Sequence, residues 1–350
     1  MSGRRKWRVV RFDAVVNPVF DQRLREQPDI ELSVNVAPTS HEDAERALAG
    51  AHVYHASSAR NEMAKYAFVT QALLERNPHI LAVSTYGAGY DSVDVAACTR
   101  AGIAVMNQAG ANKDSVAGHT IGMILSITHR INESDRRMRV ERGFTREMLM
   151  GHEVGGMTVG LVGIGHVGTR VAEIARVLRM DVIATDPYLD EAEVARRGAR
   201  KVGLDELLAA ADIVSLHCPR DESTVGMIGA PQYARMKKGA VFISTARGGI
   251  HDEIALAEAL ESGHLAGAGL DVWQPEPPPL DHPLLALPNV LATYHTAGVT
   301  HEARRNIAVM GSAQIIEVLR GGRPPRFVNP EVWPAFVERY NAARSQLSFA

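Results

Sequence analysis

Cysteine is nearly missing from this chain. Cys98 and Cys218 are the only two in 350 residues, far apart and outside any C-x-x-C pair. That excludes a disulfide framework and a cysteine-rich metal site, and it fits a reducing cytoplasm. Net charge is also close to zero, at −2, which leaves no basis for a general affinity for nucleic acid or anionic membrane. No apolar run approaches the roughly 20 residues needed to cross a bilayer. The first residues, MSGRRKWRVVRF, are basic but are not followed by the apolar core of a signal peptide. Internal repeats and low-complexity segments are absent. So is the second histidine that would turn HEVGG (from His152) or HEARR (from His301) into a zinc-hydrolase H-E-x-x-H, and there is no G-x-x-x-x-G-K-[S/T] phosphate loop. No metal site is expected. What remains is ordinary globular composition, 46% hydrophobic and 22% charged, at a length that suggests two domains.

The first hundred residues alternate strand and helix signals. Strands are expected at Trp7–Phe12, Glu31–Val36, Ala51–Ala56, Ile80–Thr85 and Ile103–Asn107, with helices at His41–Ala49, Met63–Glu75 and Val93–Arg100 between them. Such alternation implies a parallel sheet covered on both faces. A long helix is expected from about Lys113 to Arg142. Its first half is apolar and its second half charged, the latter a solvated face or part of a subunit interface. Further strands are expected at Ile213–Leu216, Ala240–Thr245, Gly267–Val272 and Val290–Thr293, and a return helix at Glu302–Arg320, followed by an extended tail after Gly321, Gly322, Pro324 and Pro325.

Residues 158–186, TVGLVGIGHVGTRVAEIARVLRMDVIATD, carry the most specific signal. An apolar strand runs into Gly163, Gly165 and Gly168 in the pattern G-x-G-x-x-G. A helix with one apolar face follows (Val167, Val171, Ile174, Leu178), then a second strand ending on Asp186. The first glycine permits the tight turn, the second lets backbone approach a pyrophosphate, and the third lets helix and strand pack closely. The helix N-terminus, opening at His166 and Val167, offers unpaired N–H groups and partial positive charge to the phosphates. Asp186 lies 23 residues beyond Gly163, close to the ~20 expected of the acid that binds ribose hydroxyls. A carboxylate there repels a 2′-phosphate, so NAD is favoured over NADP. Counting the two strands of this unit, six strands are expected in the dinucleotide-binding fold.

Three later segments end a strand on a polar group. STARGG places Arg247, LDVWQPEPPP places Asp271 and Glu276, and YHTAG places His295. Ligands of open parallel sheets bind beyond the carboxyl ends of strands. A guanidinium clamps a carboxylate, a histidine gives a proton to a carbonyl oxygen, and a carboxylate beside it raises and orients that histidine. The set suits reduction of a 2-oxo acid.

These segments, with YGAGYDSVD (Tyr86–Asp94), GANKDSVAGHT, LHCP (Leu216–Pro219) and MKKGAVFI, resemble the D-isomer-specific 2-hydroxyacid dehydrogenases over nearly the whole length. The resemblance implies two Rossmann-like α/β domains. A flavodoxin-like substrate domain would comprise residues 1–108 plus 299–350, and a doubly wound NAD-binding domain (109–298) would be inserted in it. It implies catalysis by Arg247, Glu276 and His295, with Arg247 and His295 also binding substrate beside Tyr86, Gly87, Ala88 and Gly89. His217 and Pro219 would line the adenosine side, Thr245 and Ala246 would join the cofactor site, and Asp271 would contact the nicotinamide amide. It further implies a 2-oxo or 2-hydroxy acid substrate (3-phosphoglycerate, hydroxypyruvate and glyoxylate all open) and a homodimer through the cofactor domain around Ser115–Arg142. There are departures. Tyr294 stands where the family usually has proline, Gly118 where it often has Glu, and Ser244 where it often has Asn; the regulatory C-terminal domain of many phosphoglycerate dehydrogenases is not expected. A nicotinamide-sensing scaffold resembling the C-terminal-binding corepressors is the alternative, disfavoured by the intact Arg–Glu–His set.

Overall fold

The computed structural model of the chain describes residues 6–13, 17–58 and 60–348; the basic segment up to Arg5 and Ala59 lie outside them. In chain order the elements begin with β1 (Trp7–Phe12), α1 (Val19–Arg25), β2 (Ile30–Asn35), α2 (His41–Leu48), β3 (Val53–Ala56), α3 (Gln71–Arg76), β4 (Ala82–Thr85), α4 (Val95–Arg100) and β5 (Ala104–Met106). Next come α5 (Lys113–Thr128), α6 (Ile131–Val140), β6 (Thr158–Val162), α7 (His166–Val177), β7 (Asp181–Thr185), α8 (Glu191–Arg196), β8 (Arg200–Lys201), α9 (Leu204–Ala210) and β9 (Ile213–Leu216). The rest are α10 (Ala230–Arg235), β10 (Ala240–Ser244), α11 (Glu253–Glu261), β11 (Leu265–Leu270), α12 (Pro283–Ala286), β12 (Val290–Ala292), α13 (His301–Leu319) and α14 (Trp333–Ser348).

The chain divides into two compact units. One holds the described residues up to Asn112 together with those from His301; the other is Lys113–Thr300. The divisions run at 112/113 and 300/301, against 108/109 and 298/299 in the sequence reading, because α5 starts at Lys113 and α13 at His301.

In the first unit a parallel sheet has the order β2-β1-β3-β4-β5, the flavodoxin-like arrangement. β3 and β4 are buried along their whole length, as strands covered on both faces must be. Short helices are started by side chains that satisfy their free N–H groups: Ser40 caps α2, Thr70 caps α3 and Asp94 caps α4. The Thr70 cap explains one difference from expectation. The segment 63–75 is not one helix but a 3-10 turn at Lys65–Ala67, an extended Phe68, and α3.

The tail is a second correction. It is not extended throughout but ends in α14, whose Trp333, Phe336 and Tyr340 stack in sequence, with Tyr340 stacked on Trp7 of β1. Pro334 sits in the first turn, where its missing N–H costs nothing. The apolar spacing 333, 336, 337, 340 was there to be read, but the Gly/Pro run before it masks the restart.

The second unit has a seven-stranded parallel sheet, β12-β11-β10-β9-β6-β7-β8. Six strands were expected. The seventh, β8, is two polar residues paired to the edge of β7, too short to show any periodicity. The expected long helix 113–142 is two helices. Arg130 adopts a left-handed backbone (φ 55°) between them, its guanidinium held by Glu133 and by the Met148 carbonyl. α5 buries eight residues; α6 buries none. The chain leaves β6 toward β7 and β8, then crosses to β9 on the other side of β6. The crevice at such a reversal is where open α/β sheets bind ligands.

Candidate functional site

The site of the second unit starts at the turn between β6 and α7. Gly163 has φ +91°, and a Cβ on it would lie 2.8 Å from the backbone nitrogen of Cys218. Gly168 passes so close to the Gly163 carbonyl that a Cβ would collide with it. Gly165 is different: nothing lies within 4 Å of where its Cβ would be. No protein atom demands glycine there, so the open space is a cradle a side chain would fill. Gly165 also begins α7 without any side-chain cap, leaving the first-turn N–H groups aimed outward. His166 is exposed at this end, and Val167 packs into the core beneath.

Asp186, directly after β7, braces the turn: its carboxylate accepts from Ile164 N at 3.2 Å and from Tyr188 N at 3.1 Å. Arg197 donates to the Ile164 carbonyl at 2.7 Å while paired with Glu193. On the neighbouring strand, His217 Nε2 meets Ser215 Oγ at 2.9 Å, and burial pushes the imidazole down to about 4, so it is neutral at neutral pH. Pro219 is exposed in the same loop, its carbonyl accepting from Thr224 Oγ1. The cradle, the uncapped helix end and the acid fit a bound dinucleotide diphosphate.

Three adjacent strands, β10, β11 and β12, carry the second half of the site at their carboxyl ends. After β10 come Thr245, whose Oγ1 lies 3.1 Å from Thr120 Oγ1, then Ala246 and Arg247. Arg247 is half-buried and donates from Nη1 to the Ala246 carbonyl. After β11 comes Asp271, wholly buried. Its Oδ1 accepts from Thr293 Oγ1 (2.6 Å) and Thr296 N (2.8 Å), and its Oδ2 from Ala297 N (2.9 Å). Its carbonyl accepts from His295 N at 2.6 Å. Asp271 thereby shapes the loop after β12, where His295 is held at φ +47°, a conformation costing a non-glycine residue on the order of 1–3 kcal/mol. His295 Nδ1 lies 2.9 Å from Glu276 Oε2. A carboxylate on Nδ1 fixes the ring and leaves Nε2 to face a reactant.

The structure thus brings together Glu276, His295 and Asp271, and separately Gly163, Gly165, Gly168, Asp186, His217 and Pro219. Tyr86, Gly87, Ala88 and Gly89 belong to the first unit, after β4. Tyr86 is buried beside His55, and the carbonyls of Gly87, Ala88 and Gly89 accept from Gln108 N, Asn107 Nδ2 and Thr85 Oγ1. Sequence reasoning passed over His119 of α5, whose Nε2 reaches Thr293 Oγ1 at 3.1 Å and lies 3.7 Å from Asp271. No local pattern marks it; only the packing of α5 on the sheet brings it there. Among the described residues no cluster of three or more His, Cys, Asp or Glu could hold a metal, and no helix is long and apolar enough to cross a membrane.

Residues 121–297 match the profile of the D-isomer specific 2-hydroxyacid dehydrogenase, NAD binding domain. The chain is 36% identical to the glyoxylate/hydroxypyruvate reductase B of Citrobacter koseri, over 89% of this chain and 94% of that protein. It is 37% identical to the D-3-phosphoglycerate dehydrogenase of Archaeoglobus fulgidus over 77% of this chain. It spans about half (51%) of that relative's length. A crystal structure of a glyoxylate reductase from Paecilomyes thermophila superimposes with a TM-score of 0.82 at 26% identity, covering 93% of this chain and 99% of that one. The chain belongs to the D-isomer specific 2-hydroxyacid dehydrogenase family. Its two parallel sheets give it the two Rossmann-like units of that family, and residues 121–297 are its NAD binding domain.

Proposed function

We propose that this chain reduces a small 2-oxo acid to its D-2-hydroxy acid, with His295 as the proton donor, Glu276 as its orienting carboxylate and Arg247 as the clamp for the substrate carboxylate. The carrying observation is the 2.9 Å contact between His295 Nδ1 and Glu276 Oε2, placed on a strand end two strands from that of Arg247. The Gly163–Gly168 turn, with Asp186, would hold NADH, which would supply the hydride for the carbonyl carbon. Protonated His295 gives its Nε2 proton to the carbonyl oxygen, and Glu276 stabilises the imidazolium before transfer. Arg247 pairs with the carboxylate and polarises the carbonyl. Tyr86, Gly87, Ala88 and Gly89 are the residues of the first unit that we assign to substrate binding; Asp271, through the His295 loop, serves the nicotinamide end.

Glyoxylate and hydroxypyruvate are the substrates we favour, since the reductases bearing those names are matched over most of their length. Asp186 favours NADH over NADPH. We further propose a cytoplasmic homodimer joined through α6, which buries no residue of its own and shows Ile131, Met138 and Val140 to solvent. The test is the initial rate of NADH and NADPH oxidation against a panel of 2-oxo acids. Turnover of glyoxylate or hydroxypyruvate with NADH, abolished in His295→Ala, supports the reading; equal rates in that variant overturn it.

A further inference from the structure

Behind the His295–Glu276 pair lies a second acid–histidine pair. Glu253, the first residue of α11, and His282, the cap of α12, are both buried, with Glu253 Oε2 3.0 Å from His282 Nε2. The other oxygen, Oε1, accepts a hydrogen bond from Gln274 N at 2.8 Å. Gln274 is two residues before Glu276 and opens the Gln274-Pro275-Glu276-Pro277 segment, whose two prolines offer no N–H of their own. The Gln274 N–H is therefore a rare backbone handle on this loop. The strut is itself packed: the Trp273 ring meets His282 edge-on at 5.7 Å, and Trp273 Nε1 donates to the Thr293 carbonyl at 2.9 Å, two residues before His295. The network thus reaches both members of the outer pair.

We propose that Glu253, steadied by His282, is a positioning residue that sets the Glu276 carboxylate against His295 Nδ1. This rests on the reading of His295 and Glu276 as the acid/base pair. A buried carboxylate with one oxygen on a histidine and one on a backbone N–H has no freedom to move. Losing it would free the loop at the residue that controls where Glu276 points, and a misplacement of about 1 Å in such a constellation can cost on the order of a hundredfold. The groups facing Glu253 are Asp252 at the cap of its own helix, Glu276 from the loop, His282 at the cap of α12 and Tyr233 from α10, while Asp281 acts on His282. Burial raises Glu253 to about 7, so it can share a single proton with His282 rather than add a full charge behind Glu276. Neither residue touches the reacting atoms; both act through Glu276.

The experiment is a double-mutant cycle on the full chain with kcat, KM, NADH affinity and the pH profile as readouts. Glu253→Ala is expected to lower kcat tenfold or more and to move the pH limb of His295 downward, with the Kd for NADH unchanged. Glu253→Gln, whose Oε1 still accepts from Gln274 N, is expected to recover kcat to within about threefold of wild type. In a Glu276→Gln background, Glu253→Ala should cost less than twofold more. If Glu253→Ala does not accumulate folded, Glu253→Asp takes its place with the same expected signs. Wild-type kcat and pH limb in a folded Glu253→Ala protein overturn the proposal. So does full additivity with Glu276→Gln, or a Gln variant as impaired as Ala. His295→Ala separates the two levels: if it keeps wild-type turnover, the acid/base reading fails; if it is inactive while Glu253→Ala is normal, only the positioning role fails.

Discussion

At the residue scale the proposed chemistry depends on a few side chains held by backbone that would otherwise relax. His295 is the clearest, with its left-handed φ of +47° stabilised by its own N–H to the Asp271 carbonyl and by the Asp271 carboxylate across Thr293, Thr296 and Ala297. Asp271→Asn replaces one acceptor oxygen by a donor facing an N–H. We expect kcat to fall about a hundredfold and NADH affinity to weaken with it, measured by stopped-flow turnover and NADH fluorescence titration. Arg247→Ala should remove most turnover while leaving NADH binding intact, because the guanidinium lies beyond β10, away from the turn between β6 and α7. Gly163→Ala should do the reverse. Its Cβ would meet the Cys218 backbone at 2.8 Å in a φ that alanine avoids, so NADH affinity should drop tenfold or more by the same titration. The sequence showed each of these residues by type and spacing. It could not show that Asp271 spends its carboxylate on the His295 loop, since the partners lie over twenty residues away and are set by the register of β11 on β12.

At the element scale the readings that held have strong local causes: apolar runs for β3, β4, β9 and β10, and Ser or Asp at the caps of α2 and α4. Those that did not hold turned on weak or conflicting local signals. The break at Arg130 follows a change from a buried helix to one with no buried residue, which composition hinted at without fixing the kink. α14 was hidden by the prolines before it, yet it closes the core of the first unit: Phe336 is 1% exposed and stacks between Trp333 and Tyr340. Phe336→Ala should destabilise that unit by about 3–5 kcal/mol, read as a lowered midpoint in chemical denaturation. The surface of α6 carries the assembly prediction. Met138→Asp together with Val140→Asp should shift the sedimentation coefficient from dimer to monomer, and a wild-type chain that sediments as a monomer would remove the proposal.

At the scale of the whole molecule, buried histidines set the pH range of stability. Burial lowers His55 to about 3 and His251 to about 4, so both stay neutral in the folded chain, whereas in the unfolded chain they titrate near 6.5. A depressed folded pKa means the native state has its full stability above pH ~6.5 and loses it as pH falls toward 4, because the unfolded chain takes up protons the native one does not. Each histidine adds a slope of about 1.4 kcal/mol per pH unit in that window. His55→Asn should flatten the fall of the first unit's melting midpoint between pH 6.5 and 4; an unchanged slope would contradict the assignment. By itself the sequence determined the fold class and the glycine turn with its acid, because these rest on periodicity and on residue types that only a few conformations tolerate, and it marked Arg247, Glu276 and His295 as the set we propose for catalysis. Only the tertiary structure gave the geometry by which Glu276 meets His295, showed that Asp271 and His119 converge on the loop that carries His295, and showed that Glu253 and His282 hold the Glu276 loop from behind. Those contacts join segments far apart in the chain, and their geometry follows from strand order and register, which no local pattern encodes.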